Sequence, residues 1–162
     1  MKKDSPENAL KELAVQSGIT VSAAESCTGG FISHLITTVP GASRYFLGSV
    51  TSYSPVIKTK FLGIPPSFIK DNGIVSSKVA AAMAEGIRQL TGSTYSVSTT
   101  GWADKTGDEH EPAGTVWIGI SGPSGTITER FHHSGDRNDN IKAFAEEALK
   151  KLVLYVTSDI KH

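Results

Sequence analysis

Cysteine is nearly absent: Cys27 stands alone, so no disulfide can close within the chain and no thiolate cluster can hold a metal. Neither sign of charge is in excess, because 16 Lys and Arg balance 16 Asp and Glu. A surface built for nucleic acid or anionic lipid carries a basic surplus, so neither is expected as the main partner. No apolar run approaches the roughly 18 residues that a membrane-spanning helix needs. The opening residues, Met1-Lys2-Lys3-Asp4, lead into a polar helical pattern rather than an apolar leader, and a cytoplasmic protein is expected. Aromatic residues make up only 7%, while hydrophobic content of 38% and charged content of 20% are ordinary for a globular chain. A length of 162 residues suits one domain, 1–162, large enough to bury a full core.

What is present is a repeated alternation of strand and helix signals. Ser5-Pro6 offers a capping hydroxyl and a proline at the first helical position, and Gly18 closes that helix. Residues 19–24 read as a strand whose small side chains suit a central place with helices on both faces. A short helix runs from Gly30 to about Thr38 and stops at Pro40-Gly41. Arg44 to Tyr53 reads as a strand with Gly48 as a bulge. Ser54-Pro55 repeats the cap-and-proline start, for a helix from about Pro55 to Leu62 closed by Gly63. Ser67 to Asn72 forms a short helical turn. A stronger helix spans about Ser77 to Leu90, with Val79, Met83, Ile87 and Leu90 on one face. Thr94 to Thr99 is a small, polar strand, followed by a long charged loop from Thr100 to Pro112. Gly114 to Ser121 and Thr126 to His132 form a hairpin around Gly122-Pro123-Ser124-Gly125, and about Asp139 to Thr157 is a final amphipathic helix. The order predicts an α/β fold: a three-layer α/β/α sandwich on a mixed, mostly parallel sheet with an antiparallel hairpin.

Chemistry concentrates where strands end. Ser26-Cys27-Thr28-Gly29-Gly30 joins a strand to a helix, so Ser26 is a candidate nucleophile and the amides near Gly29 and Gly30 are candidate oxyanion or anion donors. The same stretch also reads as a plain turn with a hydroxyl cap. Lys58 lies in the first turn of its helix, where the partial positive charge of the helix end lowers a lysine pKa and lets the amine take a serine proton. Tyr53 could relay that proton or orient the amine, and Lys58 and Lys60 could equally solvate an exposed face. Thr100-Gly101 falls beside Ser26 if their strands pair in parallel. Arg137 could fork onto a phosphate or pair with Asp136. Cys27 is the rival nucleophile, since a helix start also lowers a thiol pKa. His110, His132 and His133 with Asp104, Asp108, Glu109 and Glu111 superficially resemble a metal cluster but lack zinc spacing, so neither metal nor cofactor is expected. Phe46, Leu47, Phe61 and Phe68 are more apolar residues than one core needs, which leaves a homo-oligomer open without fixing the oligomeric state.

Ala24-Glu25-Ser26-Cys27-Thr28-Gly29-Gly30, Val39-Pro40-Gly41-Ala42-Ser43, Tyr53-Ser54 with Lys58, and Leu62-Gly63-Ile64 together resemble the CinA carboxy-terminal family. Gly73-Ile74-Val75-Ser76, Thr100-Gly101, Pro112-Ala113-Gly114-Thr115 and Gly135-Asp136-Arg137 extend the likeness over nearly the whole chain. The resemblance implies a nicotinamide mononucleotide amidohydrolase, which releases ammonia and leaves nicotinate mononucleotide. It implies Ser26 as nucleophile, Lys58 as its base with Tyr53 nearby, and no metal. A small nucleotide substrate would meet Cys27, Thr28, Gly29, Gly30, Thr100 and Gly101, with Arg137 and Lys142 on its phosphate. The chain departs from the family pattern at Pro55, where asparagine is usual, at Trp102-Ala103-Asp104-Lys105, and at Ile141, where a second arginine is usual. The acidic, bulkier loop is expected to disfavour a phosphorylated substrate. An amidase for a different substrate, or an impaired nucleotide-binding relative, remains open on these residues.

Overall fold

Two strands built from small and hydroxyl side chains decide how closely the helices can lie on the sheet. A computed structural model describes residues 4–162. In chain order the elements are α1 (Pro6–Ser17), β1 (Val21–Glu25), α2 (Phe31–Thr37), β2 (Phe46–Thr51), α3 (Pro55–Leu62), α4 (Pro66–Asn72), α5 (Ser77–Thr91), β3 (Tyr95–Gly101), β4 (Thr115–Gly122), β5 (Gly125–His132) and α6 (Arg137–Ile160). The strands make one sheet in the order β2-β1-β3-β4-β5. β1 pairs in parallel with β2 and β3, while β3–β4 and β4–β5 are antiparallel. The sheet is therefore mixed, with a parallel half and a hairpin end. In the β1–β2 ladder Val21 sits opposite Phe46 and Ser22 opposite Gly48, which leaves Leu47 as an extra residue at the bulge expected there.

α1, α2 and α6 cover one face of the sheet and α3, α4 and α5 the other. Alternation along the strands sorts the core in two. Val21, Ala23, Val97, Val116, Ile118 and Ile120 face Phe144, Leu149 and Leu152 of α6, whereas Ala24 joins Leu62, Val79, Met83 and Ile87 on the other side. The polarity of β3 has a packing cause. The Ser96 and Ser98 hydroxyls donate to the Ala84 and Ala80 carbonyls of α5, each at 2.6 Å, and a Cβ on Gly119 would lie 2.3 Å from the Ala80 oxygen. α5 thus lies directly on the sheet, and its neighbours must be small or able to donate.

Some local expectations shift. The Ser5 hydroxyl accepts from the Asn8 side chain at 2.9 Å instead of capping α1. Leu90 is 55% exposed, because α5 has cleared the core by its last turn. α6 begins at Arg137, two residues before the expected start, because the Asp136 side chain accepts from Asp139 N and caps it. The helical turn near Ser67 is a true short helix that starts at Pro66. Leu47 and Phe61 are about half exposed, at 48% and 45%, while Phe46 and Phe68 pack partly against the two cores. Among the described residues no helix is long and apolar enough to cross a membrane.

Candidate active site

The turn after β1 is held by a carboxylate from its own strand. Glu25 is fully buried, and its oxygens accept from Ile32 N at 2.8 Å, Ser33 N at 3.1 Å, Thr28 Oγ1 at 2.7 Å and Ser33 Oγ at 2.7 Å. An acid at the start of α2 satisfies N–H groups that the helix leaves unpaired and meets its positive end. Ser26 N donates to Thr99 O at 3.1 Å and Ser52 N to Glu25 O at 2.7 Å, so both parallel ladders continue one step past β1. Ser26 therefore stands at the carboxyl end of an inner strand, flanked by the chain leaving β2 and by the end of β3.

α3 brings Lys58 to the same point. Ser54 caps the helix by accepting from Ile57 N, Pro55 occupies its first turn, and Gly63 closes it in the left-handed conformation. Lys58 is fully buried, with Nζ 3.0 Å from Ser26 Oγ and donating to Ser52 O at 2.6 Å. Burial pulls its ammonium down to about 8, with the neighbouring Cys27 opposing. The expected lowering is present, but desolvation is its first cause and not the helix end. Cys27 goes the other way: burial pushes the thiol up to about 12, against the opposing charge of Lys58. Burial outweighs any lowering at this turn and disfavours the thiolate form of Cys27.

Ser26, Cys27, Tyr53, Thr100, Gly101 and Arg137 line one cavity of about 280 Å³, at the small end for ligand pockets. Lys58 lies behind Ser26 rather than on the wall. The remaining expected contacts fall elsewhere. Thr28 is buried, its hydroxyl shared between Glu25 and Thr99 at 2.7 and 2.9 Å. Gly29 N donates to Ser26 O at 3.0 Å, so that amide is already engaged, and Gly30 caps α2 with φ at 100°. The Thr100 hydroxyl donates to Ile74 O at 2.7 Å. Lys142 is exposed and does not line the cavity, and Ile141 packs against the core. Tyr53 turns its hydroxyl to Arg137 Nη2, 2.9 Å away, and the place beside the amine belongs to the main-chain oxygen of Ser52. Arg137 pairs with Asp104 at 3.4 Å and not with Asp136, which is spent on capping α6. The histidines part company: His132 Nε2 meets Ala113 O, His133 Nδ1 meets Asn140 Oδ1, and His110 lies 3.3 Å from Glu109.

Sequence reasoning missed Ser52, Glu25 as an organiser, and Ile74 and Val75 in the wall. A main-chain carbonyl leaves no trace in residue type, so Ser52 had no signal. Glu25 had one: an acid at a strand end, with only the turn 26–30 between it and a helix start.

The model of the family described as CinA C-terminal domain matches residues 3–156. The chain is 42% identical over 159 residues to a CinA-like protein of Desulfotalea psychrophila, covering 98% of this chain and 38% of that protein. A CinA-like protein of Salinibacter ruber is 44% identical over 133 residues, 82% of this chain and 32% of that protein. The chain thus spans well under half the length of these curated relatives. Among solved structures, the competence damage-inducible protein A from Klebsiella pneumoniae superposes with a TM-score of 0.90 at 24% identity, covering 94% of this chain and 95% of that one. A CinA superfamily protein from Enterobacter cloacae gives 0.88 at 26% identity, covering 93% and 90%.

Proposed function

The chain belongs to the CinA C-terminal domain family, and from that premise we propose that it is an amidohydrolase that cleaves a nicotinamide-type carboxamide through an acyl-enzyme on Ser26. The observation that carries this reading is the 3.0 Å contact between Ser26 Oγ and a fully buried Lys58 Nζ whose charge is held down to about 8. An amine with that pKa is neutral in a useful fraction of molecules near neutral pH and can accept a hydroxyl proton.

Ser26 Oγ attacks the amide carbon while its proton passes to Lys58 Nζ. The developing oxyanion is assigned to the main-chain N–H of Cys27, which lines the cavity beside Ser26, because Thr28 and Gly30 lie off that wall and the Gly29 amide is held by Ser26 O. Collapse of the tetrahedral species expels ammonia, which takes the proton from Lys58. Water then adds to the ester with Lys58 again as base, releasing the carboxylic acid and free Ser26. Ser52 O keeps the amine aimed at Oγ throughout.

Ammonia release from nicotinamide mononucleotide and from nicotinamide riboside tests the reading. The wild type is expected to release ammonia from at least one of them. Ser26→Ala is expected to lose about 10³-fold or more in kcat/KM with an unchanged far-UV circular dichroism spectrum. Undiminished turnover by that variant, or no release by the wild type, would remove the amidohydrolase reading.

A further inference from the structure

Among the described residues the cavity has one cation on its wall, Arg137, and the fold has already given it a carboxylate. Arg137 is the first residue of α6. Its Nη2 donates to the Tyr53 hydroxyl at 2.9 Å and its Nη1 to Asp104 Oδ2 at 3.4 Å, and Asp104 itself lines the cavity. Both arms of a fork that could grip a phosphate are therefore engaged.

The pair is also placed, not incidental. Asp104 follows a segment anchored at three points. Trp102 N donates to Thr115 O at 2.9 Å, Trp102 O accepts from Gly114 N at 2.8 Å, and Ala103 O accepts from Asn140 Nδ2 at 2.8 Å. Asn140 is buried and lies one helical turn past Arg137 on α6, and its Oδ1 also accepts from Gly135 N at 2.9 Å. A single amide thus ties the start of α6 to the residue before Asp104. The second carboxylate oxygen, Oδ1, accepts from Lys105 N at 2.8 Å. An isolated exposed ion pair counts for little in stability, and both side chains here are exposed, Arg137 at 46% and Asp104 at 61%. Its weight lies in what a ligand meets: a wall on which, among the described residues, the one cation already has a carboxylate beside it. A phosphate brought to Arg137 would also meet the Asp104 carboxylate, which repels it, whereas a neutral or cationic group would not be repelled by that carboxylate.

We infer that Asp104 sets the charge class of the substrate, so that this site takes a carboxamide without phosphate, neutral or positively charged, in preference to a phosphorylated one. The inference rests on the amide-cleaving reading above and narrows its substrate.

Calorimetric titration of the Ser26→Ala protein compares nicotinamide riboside with nicotinamide mononucleotide, which differ by the phosphate alone, without turnover. The riboside is expected to bind at least tenfold more tightly at low ionic strength. Adding Asp104→Asn, which keeps an acceptor for Lys105 N, is expected to move the ratio at least tenfold toward the mononucleotide. Tighter binding of the mononucleotide before that change, a ratio left within twofold by it, or no binding of either compound would overturn the inference. Ammonia release on the same pair with Ser26 intact separates the two readings. Charge-selective binding without any release keeps the role of Asp104 and removes the hydrolase, while release that favours the mononucleotide does the reverse.

Discussion

Lys58 carries the tension of the site in one side chain. An ammonium taken out of water is disfavoured, and its pKa of about 8 in the fold against 10.5 for an ordinary lysine measures that. Below pH 8 both folded and unfolded chains hold the proton, and the folded state bears the whole penalty, about 3 kcal/mol at roughly 1.4 kcal/mol per pKa unit. Between 8 and 10.5 the unfolded chain keeps a proton that the folded chain has released, so stability rises with pH across that window. Lys58→Met removes the titrating group. In urea unfolding from pH 7.5 to 10.5, the wild type is expected to gain about 3 kcal/mol on the variant. A gap that stays constant with pH would show that the amine is not held below its usual range. Ser26 and Lys58 were both legible in the sequence because each follows a strand end marked by hydroxyls, glycine or proline. The reason for the low charge was not legible, because burial belongs to the assembled molecule and the helix end was the nearest local cause.

At the scale of elements, α3 is the piece on which the chemistry turns. Its bounds could be read residue by residue from Ser54-Pro55 and Gly63, since a capping hydroxyl, a first-turn proline and a left-handed glycine each act locally. Its distance from the sheet could not. That distance is set by α5, where a Cβ on Gly86 would lie 2.3 Å from Leu62 O at the end of α3. Gly86→Ala must therefore push the two helices apart, and Lys58 moves with α3. A stability loss of about 1–3 kcal/mol is expected from denaturant unfolding, with kcat/KM down at least tenfold at a temperature where the variant is folded. Wild-type kinetics in the folded variant would show that the helix contact does not position the amine. α2 gives a second example. The turn before it offers amides near Gly29 and Gly30 as oxyanion or anion donors, but the Ile32 and Ser33 amides that open the helix are taken by Glu25, an occupant that becomes visible only once β1 and α2 are joined in space.

Over the whole molecule, the site gathers what five segments deliver to one end of the sheet: Ser26 after β1, Ser52 after β2, Lys58 on α3, Thr100 and Gly101 closing β3, and Arg137 opening α6. The hairpin and the alternation of helix and strand made the mixed, three-layer architecture readable in advance. The strand order β2-β1-β3-β4-β5 was not readable, because pairing between distant segments leaves no periodicity in either one. The acidic loop was noticed as a hindrance to phosphate, yet its partner Arg137 lies 33 residues further along and only the fold joins them. The chemical claim common to all three scales is that Ser26 becomes reactive through an amine that is neutral above about pH 8. Its most direct measurement is the pH dependence of kcat/KM for ammonia release between pH 6 and 10. The expected profile rises about tenfold per unit below pH 8 and levels off above it, and this limb disappears in the residual activity of Lys58→Met. A flat profile, or a limb near 8 that survives in Lys58→Met, would contradict it.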